Sequence, residues 1–163
     1  MYIVTHTMLP VALAALADAT GLEITGRRSL RAAHLTAIGA AGALPDVLNP
    51  HLSLAARLSS WSHTVWFLPI AAVAFIFIAR WIDREQWKLL TAAMIGAMAL
   101  HLFCDAIAGG IAWLYPFSDD RLGTYLVHWD YWIWIDVACA ISSVVLLIWL
   151  RRREMRKLEA GRP

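Results

Sequence analysis

Three long apolar stretches constrain this chain more than any other feature of its sequence. They run roughly from His63 to Ala79, from Leu89 to Trp113 and from Trp129 to Leu150. A helix needs about 20 mostly apolar residues to cross a bilayer, and these stretches are close to or above that length. They predict three membrane-spanning helices.

Two weaker apolar stretches precede them, from Tyr2 to Ala17 and from Ala32 to Leu44. Taken together, the two stretches are rich in Ala and Gly, small residues that let helices approach closely in lipid. We expect both to be helices packed inside a bundle. The predicted fold is all-α: a single integral membrane domain of about five transmembrane helices over residues 1–150, followed by a basic cytoplasmic tail over 151–163.

The composition excludes the other broad classes. Hydrophobic residues make up 60% of the 163 residues and charged residues only 16%, against about 45–50% and about 25% in soluble domains. A compact soluble domain of this size has no core large enough for so much apolar surface. The net charge of only +2 disfavours nucleic-acid binding. Cys104 and Cys139 lie inside apolar stretches and do not suggest a disulfide scaffold.

The distribution of basic residues predicts the orientation. Cytoplasmic loops of membrane proteins are enriched in Lys and Arg. With five spans, an outside N-terminus and a cytoplasmic C-terminus, Arg57 and Arg121 are the only basic residues of the 14 that lie outside. We therefore expect the N-terminus outside the cell and the tail in the cytoplasm.

Ionisable residues from distant parts of the chain fall near the outer ends of these helices. His101 and Asp105 are four residues apart on one helix face, about 6 Å apart along the axis. A carboxylate on a lipid-facing helix costs about 2.5–3.5 kcal/mol on insertion scales, so this pair is expected to face the bundle interior. His6, Asp46 and His63 fall at the same depth. Imidazole and carboxylate ligands suit zinc, with manganese or iron as alternatives, so the pattern predicts a divalent metal site.

Other interpretations of these residues stay open. Polar residues gather at any membrane boundary, which accounts well for His128, and Asp46 after a proline suits a turn. Asp136 is a candidate metal ligand or general base. Asp130 is a second candidate base. Residues six positions apart on a helix point about 240° apart around its axis, so Asp130 and Asp136 face the same point only if Asp130 precedes the helix. His34 and His51 are expected to be structural or solvated.

Several short motifs, in order along residues 1 to 120, resemble a known family. They are Val4-Thr-His6, Gly42-Ala-Leu-Pro-Asp46, Ser62-His63-Thr64, His101-Leu-Phe-Cys-Asp105, Gly110 and Tyr115-Pro-Phe-Ser118. They resemble the LexA-regulated, inner-membrane-associated metal-dependent hydrolases. The resemblance implies an inner-membrane location and a metal-binding set of His6, Asp46, His63, His101 and Asp105. That family usually carries a His-Arg pair ahead of its Thr-His-Ser motif, whereas this chain has Arg57-Leu-Ser-Ser-Trp61.

The order of these histidines and aspartates is also distantly similar to that of zinc-dependent phospholipases C, which suggests phosphodiester chemistry. We therefore expect a membrane-embedded metal-dependent hydrolase acting on a phosphoester or lipid-linked substrate at the outer face. Its partners would be membrane lipid and a small-molecule or lipid substrate, without nucleic acid. The alternative is an ion- or proton-transporting or metal-binding membrane protein that uses the same cluster, because intramembrane His and Asp commonly mark such pathways.

Overall fold

The computed structural model describes residues 3–25, 30–50 and 59–160 of the chain. The described residues form five α-helices and two short 3-10 turns, which confirms the all-α prediction. The helices are α1 (Ile3–Thr25), α2 (Ala32–Leu48), α3 (Phe67–Ile82), α4 (Trp87–Ile107) and α5 (Trp132–Ala160). The 3-10 turns are Trp61–His63 and Trp129–Tyr131. His51 and Arg57 lie outside the described residues.

Helices α1 and α4 form the centre of the bundle. Helix α1 packs against α2, α4 and α5, and α4 packs against α1, α2 and α3. The largest buried cluster joins α2, α3 and α4 through residues such as Ile38, Phe75, Leu90 and Met98. Large apolar side chains also point outward, as expected where hydrocarbon replaces water: Phe77 is 66% exposed and Trp134 69% exposed.

Glycine allows α1 and α2 to come unusually close. A Cβ atom added at Gly42 would overlap the backbone carbonyl oxygen of His6 and lie 2.9 Å from Pro10 Cγ. Gly39 lies one turn earlier on the same face of α2, where an added Cβ would meet the Val11 side chain at 3.0 Å. Such close approach of backbones is typical of helix pairs in membranes. It brings the start of α1 against the end of α2.

The limits of α1 and α3 differ from the sequence-based prediction. Helix α1 has 23 residues and is long and apolar enough to span a membrane over Ile3–Gly21. It continues past the predicted end at Ala17, and Asp18, 8% exposed, accepts a hydrogen bond from the Leu30 N–H at 3.0 Å. Helix α3 has 16 residues and is shifted along the chain: it begins at Phe67, where Pro69 suits a first helical turn, instead of at His63, and ends at Ile82 instead of Ala79. In the described chain three helices reach spanning length: α1, α4 and α5.

Helix α4 ends earlier than predicted, at Ile107 instead of Trp113. Gly109 and Gly110 follow with φ values of 123° and 86°, a region that favours glycine and ends a helix. The segment from Ala108 to His128 then folds back on the end of α4, with the Thr124 N–H bonded to the Ala106 carbonyl at 2.9 Å. We call this segment the return loop. It carries the chain across one end of the bundle before α5 begins.

Candidate metal centre

His101 and Asp105 lie one turn apart on the inner face of α4. They are 1% and 0% exposed, and His101 Nε2 lies 3.5 Å from Asp105 Oδ2. The spacing predicted this shared face, and the packing of α4 against α1 and α2 directs that face to the interior. The pair forms the floor of the candidate metal centre.

His63 reaches the same point from the 3-10 turn ahead of α3, and not from the helix itself as the sequence suggested. Its side chain is fully buried, and its Nε2 lies 3.4 Å from Asp105 Oδ2 and 3.1 Å from His101 Nε2. Because His63 lies in this short turn ahead of α3, the direction of its ring is not fixed by the axis of α3.

Asp46 joins the group from the last turn of α2. Its Oδ1 lies 3.3 Å from His63 Nε2 and 3.8 Å from His101 Nε2. Its side chain is 14% exposed, in contrast to the fully buried His63 and Asp105 side chains. The ligand atoms of these four residues, Asp46, His63, His101 and Asp105, all lie within 4.8 Å of one another. Asp46 is therefore the least buried of the four residues.

His6 faces the cluster from α1. Its Nε2 lies 3.3 Å from Asp105 Oδ1, and its ring stacks on that of His101 with centroids 3.8 Å apart. Both ring nitrogens are buried and make no hydrogen bond to another described residue. Asp105 thus presents one carboxylate oxygen to His6 and the other to His63 and His101.

A backbone carbonyl sets the tautomer of His101. Its Nδ1 lies 2.7 Å from the Gly42 carbonyl oxygen, which only accepts hydrogen bonds. We therefore assign the proton to Nδ1, which leaves the Nε2 lone pair directed into the cluster.

A chain of hydroxyl groups holds the ring of His63. Ser62 Oγ donates to the Pro45 carbonyl at 2.8 Å, and Ser60 Oγ lies 3.0 Å from Ser62 Oγ and 2.8 Å from His63 Nδ1. With Nδ1 held by Ser60, the Nε2 atom of His63 faces the cluster.

The resulting cluster combines nitrogen and oxygen donor atoms. The Nε2 atoms of two imidazoles lie 3.1 Å apart and face the carboxylates of Asp46 and Asp105. A mixed nitrogen and oxygen donor set of this kind fits zinc, manganese or iron(II), so the residues present fit a divalent metal ion.

Asp136 on α5 is linked to the segment of α1 that carries His6. Its side chain is 3% exposed, and its Oδ1 accepts a hydrogen bond of 2.6 Å from Thr5 Oγ1. Thr5 immediately precedes His6, so the bond joins α5 to the part of α1 that carries a candidate ligand. The Oδ2 atom of Asp136 is buried and makes no hydrogen bond to another described residue. Asp136 is not one of the four converging residues.

The structure separates Asp130 from the centre. Asp130 lies in the 3-10 turn before α5, so the helix geometry does not prevent it from facing the same point as Asp136. Its side chain is 56% exposed and pairs with His128, with 3.0 Å between His128 Nδ1 and Asp130 Oδ2. It is not among the residues that converge around Asp105.

His34 lies at the opposite end of α2 from Asp46, where it is 1% exposed. Its Nε2 lies 3.3 Å from Asp83 Oδ2, and its Nδ1 accepts a hydrogen bond from the Arg31 N–H at 3.3 Å. In the turn between α3 and α4, the backbone N–H groups of Gln86 and Glu85 donate to Asp83 Oδ1 and hold the pKa of that carboxyl below its usual value. The pair links α2 to this turn.

Sequence reasoning missed the residues that orient the ligands. Thr5, Gly42, Ser60 and Ser62 were given no role in the metal site, although Thr5, Gly42 and Ser62 stand inside the motifs that resemble a family. The spacing of Ser60 and Ser62 before His63 was a usable signal, since hydroxyl groups that close to a histidine readily reach its ring in a tight turn.

These features define a helical integral membrane protein with a buried histidine and aspartate cluster that could hold a metal ion. Residues 1–160 match the model of a family described as YdjM inner membrane protein. The chain belongs to that family, and it is associated with the membrane. Neither the curated proteins nor the solved structures contain a match to this chain.

Proposed function

We propose that this protein is a membrane-embedded, metal-dependent hydrolase that acts on a phosphoester. One observation carries the proposal: His63 and His101 turn their Nε2 atoms toward Asp105 and Asp46, and the ligand atoms of these four residues lie within 4.8 Å of one another. His6 extends the donor set on the other side of Asp105.

His6, Asp46, His63, His101 and Asp105 would hold the metal. A bound divalent ion supplies hydrolytic chemistry by lowering the pKa of a coordinated water to about 7 and by stabilising charge on a phosphoryl oxygen. The two carboxylate oxygens of Asp105 face different histidines, His6 and His63, so Asp105 joins the two sides of the candidate ligand set. Asp46 lies at the more exposed edge of the cluster.

Asp136 is the better of the two candidate bases. Its Oδ1 is held by Thr5, next to His6, and its buried Oδ2 remains available to accept a proton from water. Asp130 is solvated and paired with His128. In the proposed mechanism Asp136 therefore takes the proton, and Thr5 positions its carboxylate.

The distribution of polar residues favours hydrolysis over transport. Between the metal centre and the His34–Asp83 pair, the core is filled by Ile38, Met94 and Met98, each at most 2% exposed. A conducting pathway needs polar groups along its length, and this part of the described core is apolar. In the orientation predicted by the basic residues, the centre opens to the outer face, with the C-terminus in the cytoplasm.

Metal content and turnover measured together test the proposal. Protein purified without a histidine tag should contain a divalent metal by elemental analysis and should release alcohol from a soluble phosphodiester. Asp105→Asn should lose both properties, whereas the exposed Asp119→Asn should keep them. Unchanged metal content in Asp105→Asn would refute the metal centre. Metal flux across reconstituted vesicles without hydrolysis would instead establish the transport alternative.

A further inference from the structure

We propose that a groove between α1, α4 and α5 holds the hydrocarbon chain of a lipid whose phosphoester headgroup reaches the metal centre. The proposal rests on the proposed function and names its substrate class: a phospholipid or other phosphoester with a long apolar chain. It also makes a binding prediction that is independent of catalysis.

The groove is a cavity of about 620 Å³ with apolar walls. That volume lies within the range of about 300–1,000 Å³ found for small-molecule sites. Its walls include Leu9 of α1, Leu100, Phe103 and Ile107 of α4, and Ile135 and Leu146 of α5. These are the three helices that reach membrane-spanning length in the described chain. An occupant of this groove is therefore surrounded by hydrocarbon.

The groove reaches two of the segments that carry candidate ligands. Thr5 and Cys104 line it, and each is the chain neighbour of a candidate ligand, His6 and Asp105 respectively. His6 and Asp105 themselves meet in the bundle interior, with 3.3 Å between His6 Nε2 and Asp105 Oδ1. The position beside these two segments distinguishes the groove from an ordinary gap between helices.

Two of the polar side chains in the walls are bonded within the protein. Thr5 Oγ1 donates to Asp136 at 2.6 Å, and Ser143 Oγ donates to the Met8 carbonyl at 3.4 Å. The hydroxyl hydrogens of these two residues are therefore not directed at a ligand in the groove. An apolar chain fits these walls, and the polar part of the same molecule belongs at the end where the ligands converge.

The return loop supplies a positive charge near that end. The Arg121 side chain lies against Gly110, where an added Cβ would approach Arg121 Cγ to 2.9 Å. The Gly110 N–H donates to the Asp105 carbonyl at 3.1 Å. An arginine attached to the turn that follows Asp105 complements an anionic phosphoester headgroup.

A second apolar cavity, of about 390 Å³, provides a matched comparison. It is lined by residues of α2, α3 and α4, among them Ala74, which is exposed like Ala138 of the groove. The same substitution, alanine to tryptophan, fills either cavity from an exposed position. Ala138→Trp therefore tests the groove, and Ala74→Trp controls for a bulky residue on a lipid-facing surface. Ser142→Trp, also exposed and lining the groove, is a second test should Ala138→Trp fail to fold.

The binding experiment uses the full chain in phosphatidylethanolamine vesicles that contain a phosphatidylglycerol with a photoactivatable group in its acyl chain. After illumination, we expect cross-links on groove residues of α1, α4 and α5. Ala138→Trp and Ser142→Trp should lower this labelling at least fivefold, and Ala74→Trp should leave it unchanged. Equal labelling of all variants, or loss only in Ala74→Trp, would overturn the proposal.

The activity experiment compares the hydrolysis of a phospholipid with that of a soluble phosphodiester. Ala138→Trp should reduce phospholipid turnover at least tenfold and leave turnover of the soluble ester unchanged. An equal loss on both substrates would refute the groove as the chain site. If the wild-type protein hydrolyses neither ester, the proposed function fails and the substrate role fails with it, while the labelling still decides whether the groove binds a lipid chain.

Discussion

His6 of α1 and Asp105 of α4 meet in the interior of the bundle, with 3.3 Å between His6 Nε2 and Asp105 Oδ1. The other oxygen of the same carboxylate lies 3.4 Å from His63 Nε2. One carboxylate thus connects a histidine from the first helix to the group formed by α2, α4 and the turn before α3. Four of the candidate ligands, Asp105 among them, therefore converge. The fifth, His6, contacts the other carboxylate oxygen of Asp105.

Removing His6 should lower metal content without abolishing it, because Asp46, His63, His101 and Asp105 still converge within 4.8 Å. Removing His101 should abolish it, because that residue belongs to the converging set. Elemental analysis of His6→Ala and His101→Ala measures the difference, with the exposed His128→Ala as the control. The same metal content in both ligand variants would contradict this division.

Gly42→Ala should destabilise the protein and weaken metal binding. The added Cβ would overlap the His6 carbonyl and so push α1 away from α2. Overpacking of this kind typically costs about 1–3 kcal/mol. Gly96→Ala is the matched control, since a Cβ there meets nothing within 4 Å. Thermal unfolding and metal titration of the two variants provide the comparison, and equal behaviour would show that the close approach at Gly42 is unimportant.

Ser60→Ala should weaken metal binding while leaving all five candidate ligands in place. Ser60 Oγ holds His63 Nδ1 at 2.8 Å, and loss of such an outer partner typically reduces metal affinity about 10–100-fold. Ser59→Ala removes a hydroxyl from the exposed neighbouring residue and should have little effect. Competition with a chelator measures both affinities. An unchanged affinity for Ser60→Ala would mean that the hydroxyl chain does not set the orientation of His63.

Asp136→Asn should reduce turnover but retain the metal. As a general base, its carboxylate would contribute about 10²–10⁴-fold to the rate, and it lies outside the converging ligands. Thr5→Val should reduce turnover less, because it removes only the 2.6 Å hydrogen bond that positions the carboxylate. Asp130→Asn should be close to wild type. Loss of metal from Asp136→Asn would instead identify this residue as a ligand.

The stability contributed by Asp83 should depend on pH. Its pKa in the folded protein is lower than the ordinary value of 3.8, chiefly because the Gln86 N–H donates to its carboxylate. A carboxyl whose pKa falls on folding stabilises the protein fully above its unfolded pKa, and that stabilisation disappears as the pH falls through the folded pKa. Asp83→Asn should therefore lower the unfolding temperature most near neutral pH.

The difference in unfolding temperature between wild type and Asp83→Asn should begin to shrink as the pH falls below about 3.8, the ordinary aspartate value, and should disappear as the pH falls through the lower pKa of the folded protein. The exposed Asp119→Asn should differ little from wild type at any pH. Thermal scans in detergent at several pH values provide the measurement. A difference that stayed constant with pH would show that the Asp83 charge has no part in the effect.

Much of the candidate centre was predictable from local patterns. The four-residue spacing of His101 and Asp105 placed them on one helix face, and a buried carboxylate in an apolar stretch required an interior position. The limits of the helices were less predictable. Gly109 and Gly110 end α4 early, and polar Asp18 is tolerated in α1 because the Leu30 N–H satisfies it. Hydropathy alone does not register such partners.

From the sequence alone follow the helical membrane class and the shared helix face of His101 and Asp105, because both depend on residue type and spacing within single helices. Only the tertiary structure distinguished Asp136 from Asp130, placed His63 on a turn, and oriented the rings of His63 and His101. Those outcomes depend on contacts between segments far apart in the chain, such as Thr5 with Asp136 and the Gly42 carbonyl with His101. The direction of a ring or carboxylate at a helix interface depends on how closely the two backbones pack. Here α1 and α2 pack closely because Gly42 has no side chain.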